Sequence, residues 1–183
     1  MAVEHMARTI PYQPSLLRLL HALVAALIPL AWLTGLAVLL GHDGSWLPFS
    51  WSLPSDWVDI HGSVGAVLWP LALLFSLYAV SLGRARLRQP ANAAALLVLA
   101  VAVASGKLMD ESWVRDRQIH HLVYNVHVVA WGLLAAVLIW HVAAVLRRGG
   151  VPLAASMAQL RWRRGDEPWS WPTQLLGIVR IRR

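Results

Sequence analysis

The 183-residue chain contains no cysteine, and only 14% of its residues are charged. The lack of thiols excludes disulfides, iron–sulfur clusters, thiolate-ligated or covalently attached haem, and cysteine-based zinc sites. The scarcity of charge, together with 58% hydrophobic residues, excludes an ordinary soluble domain and predicts a membrane protein. The 16 Lys and Arg against 9 Asp and Glu do not indicate a nucleic-acid binder, because long apolar runs lie between them. Eight histidines are left as versatile metal ligands.

Four apolar runs are long enough to cross a bilayer as helices. They cover residues 16–40, 57–82, 91–108 and 122–146, each about 18 to 26 residues against the roughly 20 that one span needs. The first run follows a polar start and precedes no small-residue cleavage motif, which predicts a retained helix and not a signal peptide. We therefore predict an all-α transmembrane four-helix bundle over residues 1–148, with no separate soluble catalytic domain, and a tail over residues 149–183.

Basic residues are distributed unequally between the two ends of the predicted spans. Thirteen of them fall on one side, and only Lys107, Arg115 and Arg117 fall on the other. The positive-inside rule then places both termini in the cytoplasm. The tail contains a basic amphipathic stretch at 153–164, expected on the cytoplasmic membrane surface, and then an apolar stretch too short to span, which rests on lipid or docks on a partner. Tryptophans near the predicted span ends are typical of an interfacial aromatic belt, and they include Trp46, Trp51, Trp57 and Trp113.

Four histidines lie inside the predicted spans, where a strongly polar side chain indicates a functional site. His21 and His141 share a level near the cytoplasm, and His61 and His127 share a level near the outer face. His127 and His141 are 14 residues apart on one helix, which puts them on nearly the same face and about 21 Å apart. The other histidines lie in tails or near span ends, where a solvated side chain is expected; they are His5, His42, His120 and His121.

Two histidines from different helices at a common depth can occupy both axial positions of a haem iron inside a bundle. The two depths therefore predict two haems, with His21 and His141 at an inner iron and His61 and His127 at an outer iron. Because no coordination position stays open, such haems carry electrons and do not activate ligands. The predicted function is electron transfer across the membrane, between a quinone and a carrier on the other side.

Two basic side chains near the span ends are candidates for the haem propionates. Arg18 precedes His21 by one helical turn, and Lys107 closes the outer end of the third span. Each of them either pairs with a propionate or simply marks the end of a span. The third span itself contributes no histidine and is expected only to pack.

Two glycines and a further histidine are weaker candidates for cofactor contacts. Gly35 lies 14 residues after His21, so it is expected on the same helix face at the outer level, where it would admit the edge of a haem or serve helix packing. Gly65, one turn after His61, has the same two interpretations. His120 lies seven residues before His127 on the same face and is a candidate propionate or proton partner.

Three segments resemble the bacterial cytochrome b561 family. They are the run from Arg18 through His21, the His61-Gly-Ser-Val-Gly65 start of the second span, and His127-x13-His141-Val-Ala-Ala-Val-Leu-Arg. The resemblance covers about residues 12–148 and extends to the cytochrome b subunits of nickel–iron hydrogenases and formate dehydrogenases. It implies two b-type haems held by these histidine pairs, ubiquinone or menaquinone as redox partner, and the bacterial inner membrane as location.

The family contains two kinds of protein, and the sequence leaves both open for this chain. Free-standing members imply a superoxide or small-donor to quinone oxidoreductase. Anchored members imply a subunit that exchanges electrons with a redox partner subunit or a soluble electron carrier, which the Trp-rich loop and the tail favour as docking surfaces.

Two further classes compete with electron transfer. In a transporter, the intramembrane histidines would bind a divalent cation or relay protons. That role needs carboxylates nearby, and the spans contain no Asp or Glu between the paired levels. In a plain scaffold the histidines would be hydrogen-bonded core residues, and their two matching depths would be a coincidence.

Overall fold

The computed structural model describes residues 11–42, 56–115 and 119–180. Within these ranges the chain forms helices and no strand. The helices are α1 (Ser15–His42), α2 (Trp57–Val80), α3 (Pro90–Asp110), the short α4 (Ser112–Arg115), α5 (Ile119–Ala155) and α6 (Trp171–Arg180). Several residues named above lie outside the described ranges, among them His5, Trp46, Trp51 and Arg117, and so does most of the Trp-rich loop.

Four of these helices, α1, α2, α3 and α5, are long and apolar enough to cross a membrane. The predicted all-α bundle with four spans is thereby confirmed. The most extensive helix contacts join α3 with α5 and α1 with α2. Pro29 and Pro70 lie within α1 and α2, as membrane helices tolerate, whereas Pro90 begins α3 at a position where its missing N–H costs nothing.

The core of the bundle is narrow, and its outer surface is apolar. Buried side chains from all four spans meet in one cluster that includes Val24, Leu68, Leu99 and Leu134. Large apolar side chains elsewhere on the spans are exposed, and Ile139 reaches 71%. A contiguous exposed apolar surface of this kind is costly in water but matches the hydrocarbon region of a bilayer.

The tail begins at a sharp turn and folds back onto the bundle. Gly150 adopts φ 62°, which breaks α5 and which L side chains rarely adopt. Within the predicted basic amphipathic stretch at 153–164, residues 153–158 are helical and residues 159–163 have no regular structure, and a further helix of the tail, α6, follows. Trp171 and Leu175 of α6 pack on a cluster formed by the start of α1 and Tyr78. The tail therefore docks on its own bundle.

Asp166 anchors this docking. Its carboxylate accepts hydrogen bonds from Tyr12, from the backbone N–H of Ser15 at 2.7 Å and from Gln174 at 3.2 Å. Trp171 Nε1 donates to Ser15 Oγ at 2.8 Å. Burial on its own would raise the pKa of Asp166, but the hydrogen bonds outweigh burial and lower it. The start of α1 and the tail thus lie at one end of the bundle.

Candidate functional site

The four intramembrane histidines meet as two pairs. His21 of α1 and His141 of α5 have ring centroids 6.4 Å apart, and we name them the inner pair after their predicted orientation. His61 of α2 and His127 of α5 have centroids 6.0 Å apart and form the outer pair. The structure brings together the same partners that the depths predict. Along α5 the two levels are 14 residues, or about 21 Å, apart.

The spacing within each pair fits two imidazoles on opposite faces of one iron. An imidazole nitrogen binds a transition metal at about 2.0 Å, and the ring centroid lies roughly 1 Å behind it, so the centroids of two such rings are about 6 Å apart. In the described part of the chain no group of three or more His, Asp or Glu side chains could hold a metal ion. A pair of ligands is too few for a zinc site but suits haem, because the macrocycle supplies the other four nitrogens.

All four rings are only partly covered by protein. A partly exposed imidazole within a membrane span would meet lipid, where a polar group without a partner is costly. A flat apolar group inserted between the two rings of a pair would cover them and use their free nitrogens. The exposure of the pairs therefore agrees with binding of a large planar cofactor.

His127 of the outer pair is oriented by α3. Its Nδ1 donates to the Ala102 carbonyl at 2.9 Å, and Ser105 Oγ lies 3.2 Å from the same nitrogen. Ser105 is 4% exposed, so this contact is shielded from solvent. The expectation that the third span only packs is wrong, because its backbone and a hydroxyl fix the ring of a histidine on α5. Sequence reasoning missed this role since α3 contains no histidine.

His61 of the outer pair is oriented by α1. Its Nδ1 lies 3.0 Å from Thr34 Oγ1, which itself donates to the Leu30 carbonyl at 2.9 Å. Because the threonine proton goes to the carbonyl, the threonine oxygen accepts from Nδ1–H of His61. In both outer histidines the proton is thus on Nδ1, which leaves the Nε2 lone pair for a metal.

Two glycines allow the close approach of helices at the outer level. A Cβ on Gly35 would lie 3.2 Å from His61 Cε1 and 3.1 Å from Trp131 Nε1. A Cβ on Gly106 would lie 3.1 Å from His127 Cε1. Gly35 therefore lies beside the outer pair as predicted, and Gly106 is a second such position that the sequence did not reveal. Gly35 also lines a cavity of about 150 Å³ that His61 and His127 border.

The inner pair has fewer hydrogen bonds than the outer pair. His141 Nδ1 is buried and has no hydrogen-bond partner among residues 11–42, 56–115 and 119–180. The ring of His21 meets Phe75 edge-on, with centroids 6.2 Å apart. At His141 no hydroxyl or carbonyl of the described residues takes the place that Thr34 and Ala102 have at the outer level.

Arg18 lies one turn from His21 and is 5% exposed. Its Nη2 donates to the Arg161 carbonyl in the tail at 2.6 Å, and its guanidinium lies over the Tyr12 ring at 5.2 Å. Its Nη1 is buried and has no hydrogen-bond partner in the part of the chain that the structure describes. A buried cation with a free donor is expensive unless an anion meets it, so Arg18 fits the carboxylate of a group held by the inner pair.

The remaining predicted site residues are Lys107, His120 and Gly65. Lys107 is 41% exposed and forms ion pairs with Asp110 at 2.8 Å and Glu111 at 3.0 Å, which agrees with the alternative that it marks a span end. His120 has its ring beside His121, with centroids 6.0 Å apart. A Cβ on Gly65 would meet nothing within 4 Å, so the space beside this residue is open.

A stacked tryptophan pair lies between the two levels. The rings of Trp32 on α1 and Trp131 on α5 have centroids 4.6 Å apart and are inclined by 10°. Trp131 Nε1 donates to the Trp32 carbonyl at 3.0 Å, and Trp32 Nε1 donates to the Trp131 carbonyl at 3.2 Å. These reciprocal bonds fix α1 against α5, the two helices that also carry the inner pair.

Comparison with family models, with curated proteins and with solved structures finds no match to this chain. The resemblance to the bacterial cytochrome b561 family therefore depends on the histidine pattern and stays a prediction.

Proposed function

We propose that this chain is a di-haem b-type cytochrome that transfers electrons across a bilayer. Its partners in this proposal are a quinone, ubiquinone or menaquinone, and a redox partner subunit or soluble carrier. The proposal extends to membership of a respiratory assembly in the bacterial inner membrane, with both termini cytoplasmic.

One observation carries the proposal. Two histidine pairs, each from two different helices, lie at two depths with ring centroids 6.4 Å and 6.0 Å apart. Both distances suit two imidazoles that would bind one haem iron per pair. A single pair could be a chance meeting in a packed core, whereas two pairs stacked along α5 support two equivalent sites.

The residues around the pairs explain what the chain contributes. His21 with His141, and His61 with His127, would each hold one haem, which would supply one-electron chemistry with no coordination position left open for a substrate. Thr34 and Ala102 hold the outer imidazoles in the tautomer that presents Nε2. The spans are apolar, so in a bilayer the space between the levels would contain little water. Arg18 supplies a buried positive charge for a propionate at the inner level.

Cation binding is less well supported by the same geometry. A metal site built only from protein needs three or four ligands close together. Each level offers two imidazoles, and no cluster of three ligands occurs among residues 11–42, 56–115 and 119–180.

Reduction by a quinol tests the proposed function. Membranes that contain the full chain are mixed with a reduced ubiquinone or menaquinone analogue, and the visible spectrum is followed for the sharp bands of reduced low-spin b haem. We expect the bands to appear on addition of one of the quinols. The matched control is the double variant with His61→Ala and His141→Ala, which removes one ligand from each pair and is expected to show no bands. A wild-type chain without haem bands, even with dithionite, would contradict the proposal.

A further inference from the structure

Residues 160–164 of the tail, which we name the basic segment, combine exposed arginines with exposed apolar side chains. The arginines are Arg161, Arg163 and Arg164, and all three are exposed. The apolar side chains are Leu160, which is 90% exposed, and Trp162, which is 57% exposed. In the described part of the chain, no ion pair involves any of the three arginines. Such a segment matches a surface that is both anionic and apolar.

The acidic side chains that follow the basic segment do not neutralise it. The carboxylate of Asp166 accepts hydrogen bonds from Tyr12 and from the backbone N–H of Ser15. Glu167 Oε2 accepts from the backbone N–H of Gly165 at 2.7 Å. Among the described residues, neither carboxylate forms an ion pair with a basic side chain. The positive charge of the segment is therefore left for a partner outside these contacts.

The backbone of the basic segment is already held in place. The Arg161 carbonyl accepts from Arg18 Nη2 at 2.6 Å, and the N–H of Arg163 donates to the Tyr12 hydroxyl at 3.2 Å. The Arg163 carbonyl accepts from the N–H of Asp166 at 3.0 Å. The guanidinium of Arg163 also lies over the Tyr12 ring, 4.2 Å from its centroid. A segment with an ordered backbone loses less conformational entropy when it binds.

The same contacts hold the basic segment level with the start of the first span. Arg18, which bonds the Arg161 carbonyl, is the fourth residue of α1. Beyond the segment, Trp171 and Leu175 pack on the cluster that contains Leu16. Lipid headgroups lie where the apolar part of a membrane helix begins. At this depth tryptophan is favoured, and an arginine can bond a phosphate through two of its N–H groups.

We propose that the basic segment is a binding site for anionic phospholipid headgroups. Arg161 and Arg164 bind the lipid phosphates, while Trp162 and Leu160 lie among the upper parts of the lipid chains. Arg163 contributes charge and keeps its contact with the tail end of the bundle. This inference goes beyond the proposed electron transfer and does not depend on a haem.

A second group of arginines shows what distinguishes the basic segment. Arg84 and Arg88 are also exposed, and Arg86 between them bonds Gln13 at 2.8 Å, so they lie at the same end of the bundle. The positive-inside rule explains a basic residue at any of these positions. It does not explain why the arginines of the tail alternate with an exposed tryptophan and leucine on a backbone fixed at headgroup depth.

A label on the basic segment of the full chain tests the proposal. The chain contains no cysteine, so Leu160→Cys gives a single attachment position for a nitroxide. The labelled chain is placed in vesicles of phosphatidylcholine, with or without phosphatidylglycerol in both leaflets. Collisions of the label with oxygen, which concentrates in lipid, are compared with collisions with a water-soluble nickel chelate. We expect the ratio of oxygen to nickel collisions to rise when phosphatidylglycerol is present. High salt should reverse the rise, because it screens the charges.

Two double variants of the labelled chain separate the basic segment from the general charge of this end. An arginine near an anionic surface favours binding about fivefold, so Arg161→Gln with Arg164→Gln should lower the ratio of bound to free segment by about 25-fold. The response to phosphatidylglycerol should then be lost. Arg84→Gln with Arg88→Gln removes the same number of exposed arginines from the same end and should retain the response.

Three results would overturn the proposal. The first is an original labelled chain with the same collision ratio in both kinds of vesicle. The second is a rise that persists in high salt, which would show that charge does not hold the segment on the lipid. The third is an equal loss of the response in both double variants. The salt measurement uses the chain with all its arginines, so it decides the question even where a substitution disturbs the tail.

Discussion

Replacing any one of the four paired histidines by alanine is expected to remove one haem of two. The geometry determines the size of this loss, because no other histidine of α5 lies close enough to substitute. His127 and His141 are about 21 Å apart along α5, and His120 is about 10 Å from His127 along the same helix. An iron that binds its ligands at about 2 Å cannot be served by either replacement. Haem per chain should therefore fall by half in each single variant.

The variants should also fall into two groups by the spectral component that they lose. His21→Ala and His141→Ala are expected to lose one component, and His61→Ala and His127→Ala the other. The assay is a reduced-minus-oxidised spectrum at low temperature, combined with a haem determination on the purified chain.

A matched control is present in the same helix. The rings of His120 and His121 also have centroids 6.0 Å apart, but they are sequence neighbours and cannot face each other across a macrocycle. Alanine at both of these positions should leave both haems in place. The pairing would be refuted if His21→Ala and His61→Ala lost the same component, or if the control variant lost a haem.

Three further predictions concern the surroundings of the pairs. Gly106→Val should expel the outer haem, because a Cβ at this position would lie 3.1 Å from His127 Cε1. The control Gly132→Val should keep two haems, because a Cβ there meets nothing within 4 Å. Equal haem contents of the two variants would count against this packing. Trp131→Phe retains the stacking but loses the hydrogen bond from Nε1 to the Trp32 carbonyl. The free energy of unfolding in detergent should therefore fall by about 1 kcal/mol. An unchanged free energy of unfolding would show that the bond is not stabilising. Asp166→Asn should release α6 at neutral pH, and faster hydrogen exchange of the α6 amides would show this release. In the wild type the pKa of Asp166 is lowered, so docking persists above about pH 4 and is lost only as the pH falls through that lowered pKa. Release of α6 from the wild-type chain near neutral pH would contradict the role of the carboxylate.

The spans and the depths of the histidines were predictable from the sequence for physical reasons. Membrane helices need long apolar runs, and the constant rise of a helix converts sequence position into depth. The partner of His141 could thus be named as His21 before any contact was seen. The close approach at Gly35 followed from the same periodicity.

The hydrogen bonds that orient the imidazoles were not predictable in the same way. The partner of His127 is a backbone carbonyl, Ala102, and every residue has one, so no residue type marks it. Thr34 and Ser105 resemble the Ser and Thr residues that bond their own helix carbonyls throughout membrane proteins. Only the rotation of one span against another shows which hydroxyls face a histidine.

The tail illustrates a second kind of limit. Its basic amphipathic stretch predicts contact with lipid, and it does not reveal that α6 forms further along, where Trp171 and Leu175 pack on an apolar cluster and Asp166 accepts hydrogen bonds from three residues. The position of α6 therefore depends on tertiary contacts that the sequence pattern does not show.

The measurement that tests the central claim most directly is the number of b-type haems per chain. The full chain is purified from membranes in mild detergent, its haem is converted to the pyridine haemochrome, and its concentration is determined by amino-acid analysis. The two histidine pairs predict two b-type haems per chain. A chain that is folded and helical but binds no haem would contradict the account.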